Sequence, residues 1–257
     1  RAEAQVPAEH GLLILAYKVR WLRPSNRNYE FPVPRDTAVG LPCGSIFVIL
    51  GAMKIIMSHT MGYCKGVSRA LDMAQNAIEE ARKTGLPVYS LGKLIHNKQV
   101  CNQFAQEGMT EIAGPEGHEQ GVVVLRAHGV GDKLRSEFLD AGYQIVDATC
   151  PVVKRNLLHI ARYAATHTIL VVGHSKHPES TAMQEVLVDG KPITSKLVTT
   201  LEDVGEPEEG VSYAVFVQTT FDQSLWMQIK AVLASWQQKG ITVMFANEVC
   251  PSSVNRR

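Results

Sequence analysis

Beyond residue 65 the chain alternates two kinds of apolar pattern. Val67, Ala70, Leu71, Ala74, Ala77, Ile78 and Ala81 recur at intervals of three and four, with Glu79, Glu80, Arg82 and Lys83 on the opposite side. That spacing predicts an amphipathic helix over 66–84, stopped by Gly85. Short apolar runs stand after it at Val122–Leu125, 169–172 and Tyr213–Val217, with Val88–Leu91 interrupted only by Ser90. Such runs read as strands covered on both faces, the mark of a parallel sheet. Strands are also expected at 143–146, 197–200 and 241–245. Helices are expected over 98–107, 132–141, 152–165 and 222–238, the last capped by Asp222 and ended by Gly240. Strand and helix therefore alternate, which predicts an α/β fold of small domains with mainly parallel sheets.

Residues 1–52 do not share this rhythm. The stretch 20–36 mixes Arg, Pro, Asn and aromatics without helical or strand period, and 12–16 is apolar but short. A basic start and an apolar patch resemble a targeting peptide, but Glu3 and Glu9 come early and no clean cleavage site comes after them. The segment is read as a poorly ordered extension, non-native or upstream read-through, with Met53 as the natural start and 53–57 as the first strand. Cys43 lies in this segment and receives no role.

The totals narrow the function. A chain of 257 residues allows one large domain or two to three small ones. A net charge of +1 offers no broad surface for nucleic acid or membrane. Apolar runs such as 45–53 are too short to span a bilayer. Five cysteines, an odd number without short regular spacing, argue against a disulfide framework and for a reducing compartment, so a cytoplasmic protein is expected.

The reactive residues cluster just after strands, where open α/β sheets place their ligands. Cys150 stands at a strand-to-helix corner in Asp147-Ala148-Thr149-Cys150-Pro151, with Pro151 suited to the first helical turn. A cysteine there faces the positive end of a helix, which favours the metal-ligating thiolate. Cys64 precedes the first helix, and Cys250 comes after the last apolar run. No CxxC pair is present, which disfavours a zinc ribbon. Three thiolates can hold an iron–sulfur cluster and leave one iron open; a buried cysteine can equally be a small hydrophobe, as Cys101 is read to be. His96, His128 and His177 each come after a strand, in the contexts IHN, AHG and HPE, with His174 a weaker candidate. Converging imidazolium groups would bind a diphosphate through charge-assisted hydrogen bonds; each alone can also be structural. Glu179 is either a solvated loop residue or, in a dry pocket, a proton donor with a raised pKa. Thr219 and Thr220 are either strand residues or hydroxyls that touch a substrate oxygen.

Taken together, MGYCKGVSRAL (61–71), IHNKQV (95–100), RAHGV (126–130), DATCPVV (147–153), GHSKHPE (173–179) and QTT (218–220), with the region of Cys250, resemble the 4-hydroxy-3-methylbut-2-enyl diphosphate reductase (IspH/LytB) family. The resemblance implies three small α/β domains around a central [4Fe–4S] cluster. On it, 53–64 is a strand of an incomplete third domain, 65–150 the first domain, 151–246 the second, and 247–257 the start of the truncated third. It implies Cys64, Cys150 and Cys250 as cluster ligands, with the fourth iron left for the substrate's 4-hydroxyl. It also implies His96, His128 and His177 as substrate-binding residues that hold the diphosphate or line its pocket, Glu179 as the acid, and Thr219 as a catalytic and substrate-binding residue beside the reacting oxygen. The activity implied is reductive dehydroxylation of the allylic diphosphate to isopentenyl and dimethylallyl diphosphate, the last step of the methylerythritol phosphate pathway. Electrons would come from a ferredoxin or flavodoxin. Ser252, Ser253 and Asn255 lie too close to Cys250 to take the family's later Ser/Asn diphosphate motif. Met61 and Tyr63 replace the usual Arg and Phe before the first cysteine. With one pocket wall absent, weak cluster binding and low turnover are expected. The rival readings are a zinc-dependent hydrolase using the same Cys and His residues, and an inactive, metal-free diphosphate-binding module.

Overall fold

The computed structural model of the chain describes Phe47–Leu50, Met53–Ile56 and residues 62–250. Contacts divide the chain into two compact units, 1–61 and 62–257. In the first, β1 (Phe47–Leu50) pairs antiparallel with β2 (Met53–Ile56), Leu50 opposite Met53. The strand at Met53–Ile56 is as expected, but the reading of 1–52 as extension without regular structure fails at Phe47–Leu50. The apolar residues Phe47, Val48, Ile49 and Leu50 favour the pleated conformation, and two intervening residues suffice for a hairpin. The other residues of 1–52, with Met57, Met61, Ser252, Ser253 and Asn255, lie outside the described residues.

The second unit holds two sheets of one design. The helix α1 (Lys65–Thr84) leads in and stops at Gly85, whose φ of 73° suits a residue without a Cβ. Then come β3 (Val88–Leu91), α2 (Lys98–Gln106), β4 (Met109–Ile112), β5 (Val122–Leu125), α3 (Asp132–Asp140) and β6 (Gln144–Asp147). The sheet runs β4-β3-β5-β6, all parallel. Along β5, Val122 and Val124 pack with Ala70, Ala74 and Ile78 of α1, whereas Val123 and Leu125 pack with Phe138 of α3. The two-residue period of a strand thus delivers apolar side chains to both faces, each covered by helix.

The second half repeats the plan with α4 (Pro151–Tyr163), β7 (Thr168–Val172), α5 (Pro178–Gln184), a short hairpin of β8 (Leu187–Val188) and β9 (Lys191–Pro192), β10 (Ser195–Val198), β11 (Tyr213–Val217), α6 (Gln223–Gln238) and β12 (Val243–Phe245). Its parallel sheet runs β10-β7-β11-β12. Ile169 and Val171 face Ile160 of α4 and Met183 of α5, while Leu170 and Val172 face Trp226, Ile229 and Leu233 of α6. In both sheets the first strand lies between the second and the third. The winding direction therefore reverses between β3 and β5, and again between β7 and β11. At such a reversal the loops leaving two adjacent strands part, opening a crevice at their carboxyl ends.

Several elements differ from the sequence reading, among them the β8–β9 hairpin, which it lacks. The strand expected at 197–200 lies at Ser195–Val198. The edge strand β4 has no counterpart in that reading, because its buried-exposed-exposed-buried pattern fits neither template. The HPE segment, read as loop, starts α5, a seven-residue helix with Pro178 in its first turn.

Candidate active site

Each crevice is lined by the residues just beyond its two strands. His96 stands five positions after β3 and His177 five after β7. His128 comes after β5, and Gln218 and Thr219 come after β11. Backbone hydrogen bonds knit the first set together: Ala127 N–H donates to Leu94 O (3.3 Å), and Cys150 N–H donates to Ala127 O (2.9 Å).

The three histidines meet although they come from two sheets. Their nearest ring nitrogens all lie within 4.8 Å of one another. His96 Nε2 is 3.3 Å from His177 Nε2, and ring centroids are 4.2 Å apart for His96–His128 and 5.3 Å for each of the other pairs. Burial, reinforced by the neighbouring His96, His177 and Arg126, pushes His128 down to about 3. Burial, with His96, His174 and Arg126, pushes His177 down to about 4. The sequence reading of these two as imidazolium groups is therefore corrected for the unliganded protein at neutral pH: both are neutral rings. The Nδ1 of His128 is buried without a protein partner. His177 caps α5, its Nδ1 accepting the backbone N–H of Glu179 at 3.2 Å. A ring that accepts at Nδ1 and is neutral carries its proton on Nε2, so the network assigns His177 as an N–H donor into the crevice.

Glu179 is 1% exposed and is no solvated loop residue. Thr219 N–H donates to Oε1 (2.9 Å) and Thr219 Oγ1–H to Oε2 (2.8 Å). Burial nevertheless outweighs both hydrogen bonds and raises the carboxyl to about 7. Thr219 carbonyl O accepts the N–H of Cys250 at 2.8 Å, which ties the third cysteine to the acid's partner.

Cys64 and Cys150 are the N-cap residues of α1 and α4, and neither uses its sulfur for a capping bond. Cys150 Sγ rests against α1: a Cβ added at Gly66 would lie 2.6 Å from it. The corner before Cys150 is braced by Asp147, whose Oδ1 accepts Thr149 N–H (3.2 Å) and whose Oδ2 pairs with Lys154 (2.7 Å) and Arg135 (3.4 Å). Burial opposes that charge, but the Lys154 and Thr149 bonds win and hold Asp147 at about 2. Among the described residues only the histidines form a metal-capable trio within 4.8 Å; the three thiols do not gather to that distance. Cys101 behaves as the packed thiol expected, donating to Ile95 O at 3.4 Å. His174 sits against the Phe221 ring, 5.0 Å between centroids, and not in the trio.

Four residues of this site escape sequence reasoning. Arg126 brings a permanent charge beside His128 and His177 while its Nε donates to Gly129 O (3.1 Å). Gly66 makes room for Cys150. Ser180 and Gln218 are buried and bonded to each other at 3.2 Å. Each lies close in sequence to a residue singled out for its chemistry, and that adjacency is the one signal available.

A family model for LytB protein matches residues 55–257. This chain is a member of the LytB family. The 4-hydroxy-3-methylbut-2-enyl diphosphate reductase of Solidesulfovibrio magneticus is 32% identical over 209 residues, 80% of this chain and 72% of the relative. The enzyme of the same name from Aquifex aeolicus is 30% identical over 208 residues, 79% and 68% of the two chains. The solved structure of (E)-4-hydroxy-3-methyl-but-2-enyl diphosphate reductase aligns with a TM-score of 0.63 at 28% identity, covering 74% of this chain and 65% of that one. The Plasmodium falciparum E-1-hydroxy-2-methyl-but-2-enyl-4-diphosphate reductase gives a TM-score of 0.66 at 23% identity over 77% of this chain and 61% of that one, a likeness of fold. This LytB chain thus spans somewhat under two thirds of those solved chains.

Proposed function

We propose that this chain carries the reductive dehydroxylation of (E)-4-hydroxy-3-methylbut-2-enyl diphosphate to isopentenyl and dimethylallyl diphosphate. The observation that carries the reading is the meeting of three histidines from two sheets beside a buried carboxyl that ionises near pH 7. The trio suits an anion. His177 Nε2–H and the inward rings of His96 and His128 donate to phosphate oxygens, and Arg126 adds fixed positive charge. An arriving anion favours a protonated ring, so diphosphate binding draws a proton onto His128, whereas His177 already donates from Nε2 and keeps its cap.

The same geometry disfavours the zinc hydrolase. A neutral His177 that accepts at Nδ1 has its Nε2 lone pair blocked by a proton, and a zinc ligand there would have to break the cap of α5. The donor chemistry of Cys64, Cys150 and Cys250 fits an iron–sulfur cluster better: three soft thiols, two of them at helix N-termini with sulfurs unused in capping. These three residues would hold the cluster, which when bound supplies electrons and a Lewis-acidic iron for the substrate hydroxyl. Glu179 holds a proton at Oε until the hydroxyl oxygen needs it. Thr219 keeps the carboxyl aimed with two donors, and its hydroxyl lies on the path between acid and substrate. Two electrons and two protons replace the C–O bond by C–H and release water. A one-electron carrier such as a ferredoxin or flavodoxin would deliver the electrons. The domain scheme of 65–150, 151–246 and a third domain around the cluster belongs to the same proposal, as does a cytoplasmic location. Among the described residues no helix is long and apolar enough to cross a membrane.

Anaerobic reconstitution with iron and sulfide, followed by metal analysis, electron paramagnetic resonance and a reductase assay, tests the proposal. A brown protein with about four irons that releases water from the allylic diphosphate is expected. A colourless zinc protein that hydrolyses its substrate would restore the rival. Calorimetry showing tight diphosphate binding but no cluster uptake would restore the binding module.

A further inference from the structure

Gln218 lies between the two loops that bear the acid and its hydroxyl partner, and its own polar atoms bond to the protein. It is 1% exposed. Its backbone N–H donates to Val172 O at the end of β7 (2.7 Å). Its side-chain Oε1 accepts from His174 N–H (3.0 Å) and from Ser180 Oγ–H (3.2 Å), and its Nε2 donates to Thr220 Oγ1 (2.7 Å). Ser180 is fully buried and comes directly after Glu179, while Gln218 directly precedes Thr219. The Gln218–Ser180 bond therefore runs alongside the Glu179–Thr219 bonds, one residue away on each side of the clasp. The fit is close: at Gly173 a Cβ would stand 2.3 Å from Ser180 Oγ and 3.0 Å from Gln218 Cβ.

We infer that Gln218 is a positioning residue for proton delivery: it locks the β7–α5 loop to the β11–α6 loop so that both donors of Thr219 converge on the Glu179 carboxyl. The inference rests on Glu179 being the acid. Without the amide, His174 N–H and Ser180 O–H lose their acceptor. The clasp between the two loops then falls to the Gln218 N–H to Val172 O bond, the Glu179–Thr219 bonds and the tilted contact of His174 with Phe221. Of the trio only His177 belongs to that loop, its N–H bonded to His174 O (3.1 Å), while His96 and His128 come from the first sheet, so most of the grip on the anion should survive.

The test compares Gln218→Met, which keeps volume but removes donor and acceptor, with Ser180→Ala and Glu179→Gln. Gln218→Met should lower kcat on the order of ten- to a hundred-fold, the cost of a small misplacement at a reacting centre. Inorganic diphosphate should still bind within about two-fold, and the Thr219 amide should lose protection in hydrogen exchange, which needs no cluster. Ser180→Ala should show the same pattern more weakly. If Gln218→Met does not fold, Ser180→Ala decides by the same three readouts. Unchanged kcat and unchanged Thr219 protection overturn the inference, as does an equal loss of kcat and diphosphate affinity. Full turnover in Glu179→Gln would instead remove the acid on which the inference rests.

Discussion

The two sheets share one strand order and differ in the residues just beyond each strand. After their first strands stand His96 and His177; after their third, His128 and Thr219; after their fourth, Cys150 and Cys250. The first sheet supplies only groups that could hold a ligand. The second adds a group that could change one, because Glu179 lies two residues past His177 in the first turn of α5. Burial acts on both halves, and with opposite results. It strips His128 of a proton and keeps one on Glu179. Burial therefore neutralises base and acid alike. On the proposed function, part of the charge that grips the anion would arrive with it, beside the fixed charge of Arg126, while the proton for the reaction would already be in place.

Five measurements put this division to the test. The largest effect is expected for Glu179→Gln, which should lower kcat on the order of a hundred- to ten-thousand-fold while diphosphate binding persists. Loss of binding in parallel would erase the distinction between gripping and reacting halves.

The same variant should alter how stability depends on pH. The Glu179 carboxyl lies near 4.5 when unfolded and about 7 when folded. The native state thus holds a proton that the unfolded state has released, and stability falls as pH rises from 4.5 through 7. The loss is on the order of 3 kcal/mol. Denaturant titrations should show this decline in the stability difference between the parent and Glu179→Gln, which cancels the contribution of the histidines. His128 and His177 act in the opposite sense. Their folded values lie below the ordinary 6.5, so their contribution is full above 6.5 and fades as pH falls toward 4 and 3.

Next in size, His128→Asn should weaken diphosphate binding about ten- to a hundred-fold, as expected for losing one hydrogen bond to a charged group. Calorimetry of the parent in buffers of different ionisation enthalpy should show proton uptake on binding near pH 7. Binding without uptake would mean that the rings act as neutral donors throughout. The smallest effect is expected for Gly66→Ala, whose Cβ meets Cys150 Sγ; overpacking of this kind costs about 1–3 kcal/mol. Its signature is a lower iron content after reconstitution, with diphosphate affinity unchanged.

Much of this is legible in the residues. The buried strands Val88–Leu91, Val122–Leu125 and Tyr213–Val217 have the bounds expected of them, and for the last two a continuous apolar run of that length leaves few alternatives. Helix α1 announces itself by its alanine face and terminal glycine. Seven ordered motifs point to the family. Depth is what the residues conceal. Nothing in HPE tells a solvated glutamate from one that is 1% exposed, since burial is set by β11 and Thr219, forty positions later. The charge state of His128 escapes for the same reason: its rivals for the proton, His96 and His177, come from other strands. Strand β4 is lost because only its end residues Met109 and Ile112 are buried, while Thr110 and Glu111 between them are exposed.

The N-cap of α5 has a last effect. The imidazole that would anchor a phosphate and the carboxyl that would release its proton sit two residues apart in one helical turn, joined by the Glu179 N–H to His177 Nδ1 bond. The spacing of these two side chains is thus set by local backbone, and on the proposed function it would measure a ligand from tail to hydroxyl. An allylic diphosphate one carbon longer or shorter is then expected to bind as firmly as the substrate and to turn over more slowly.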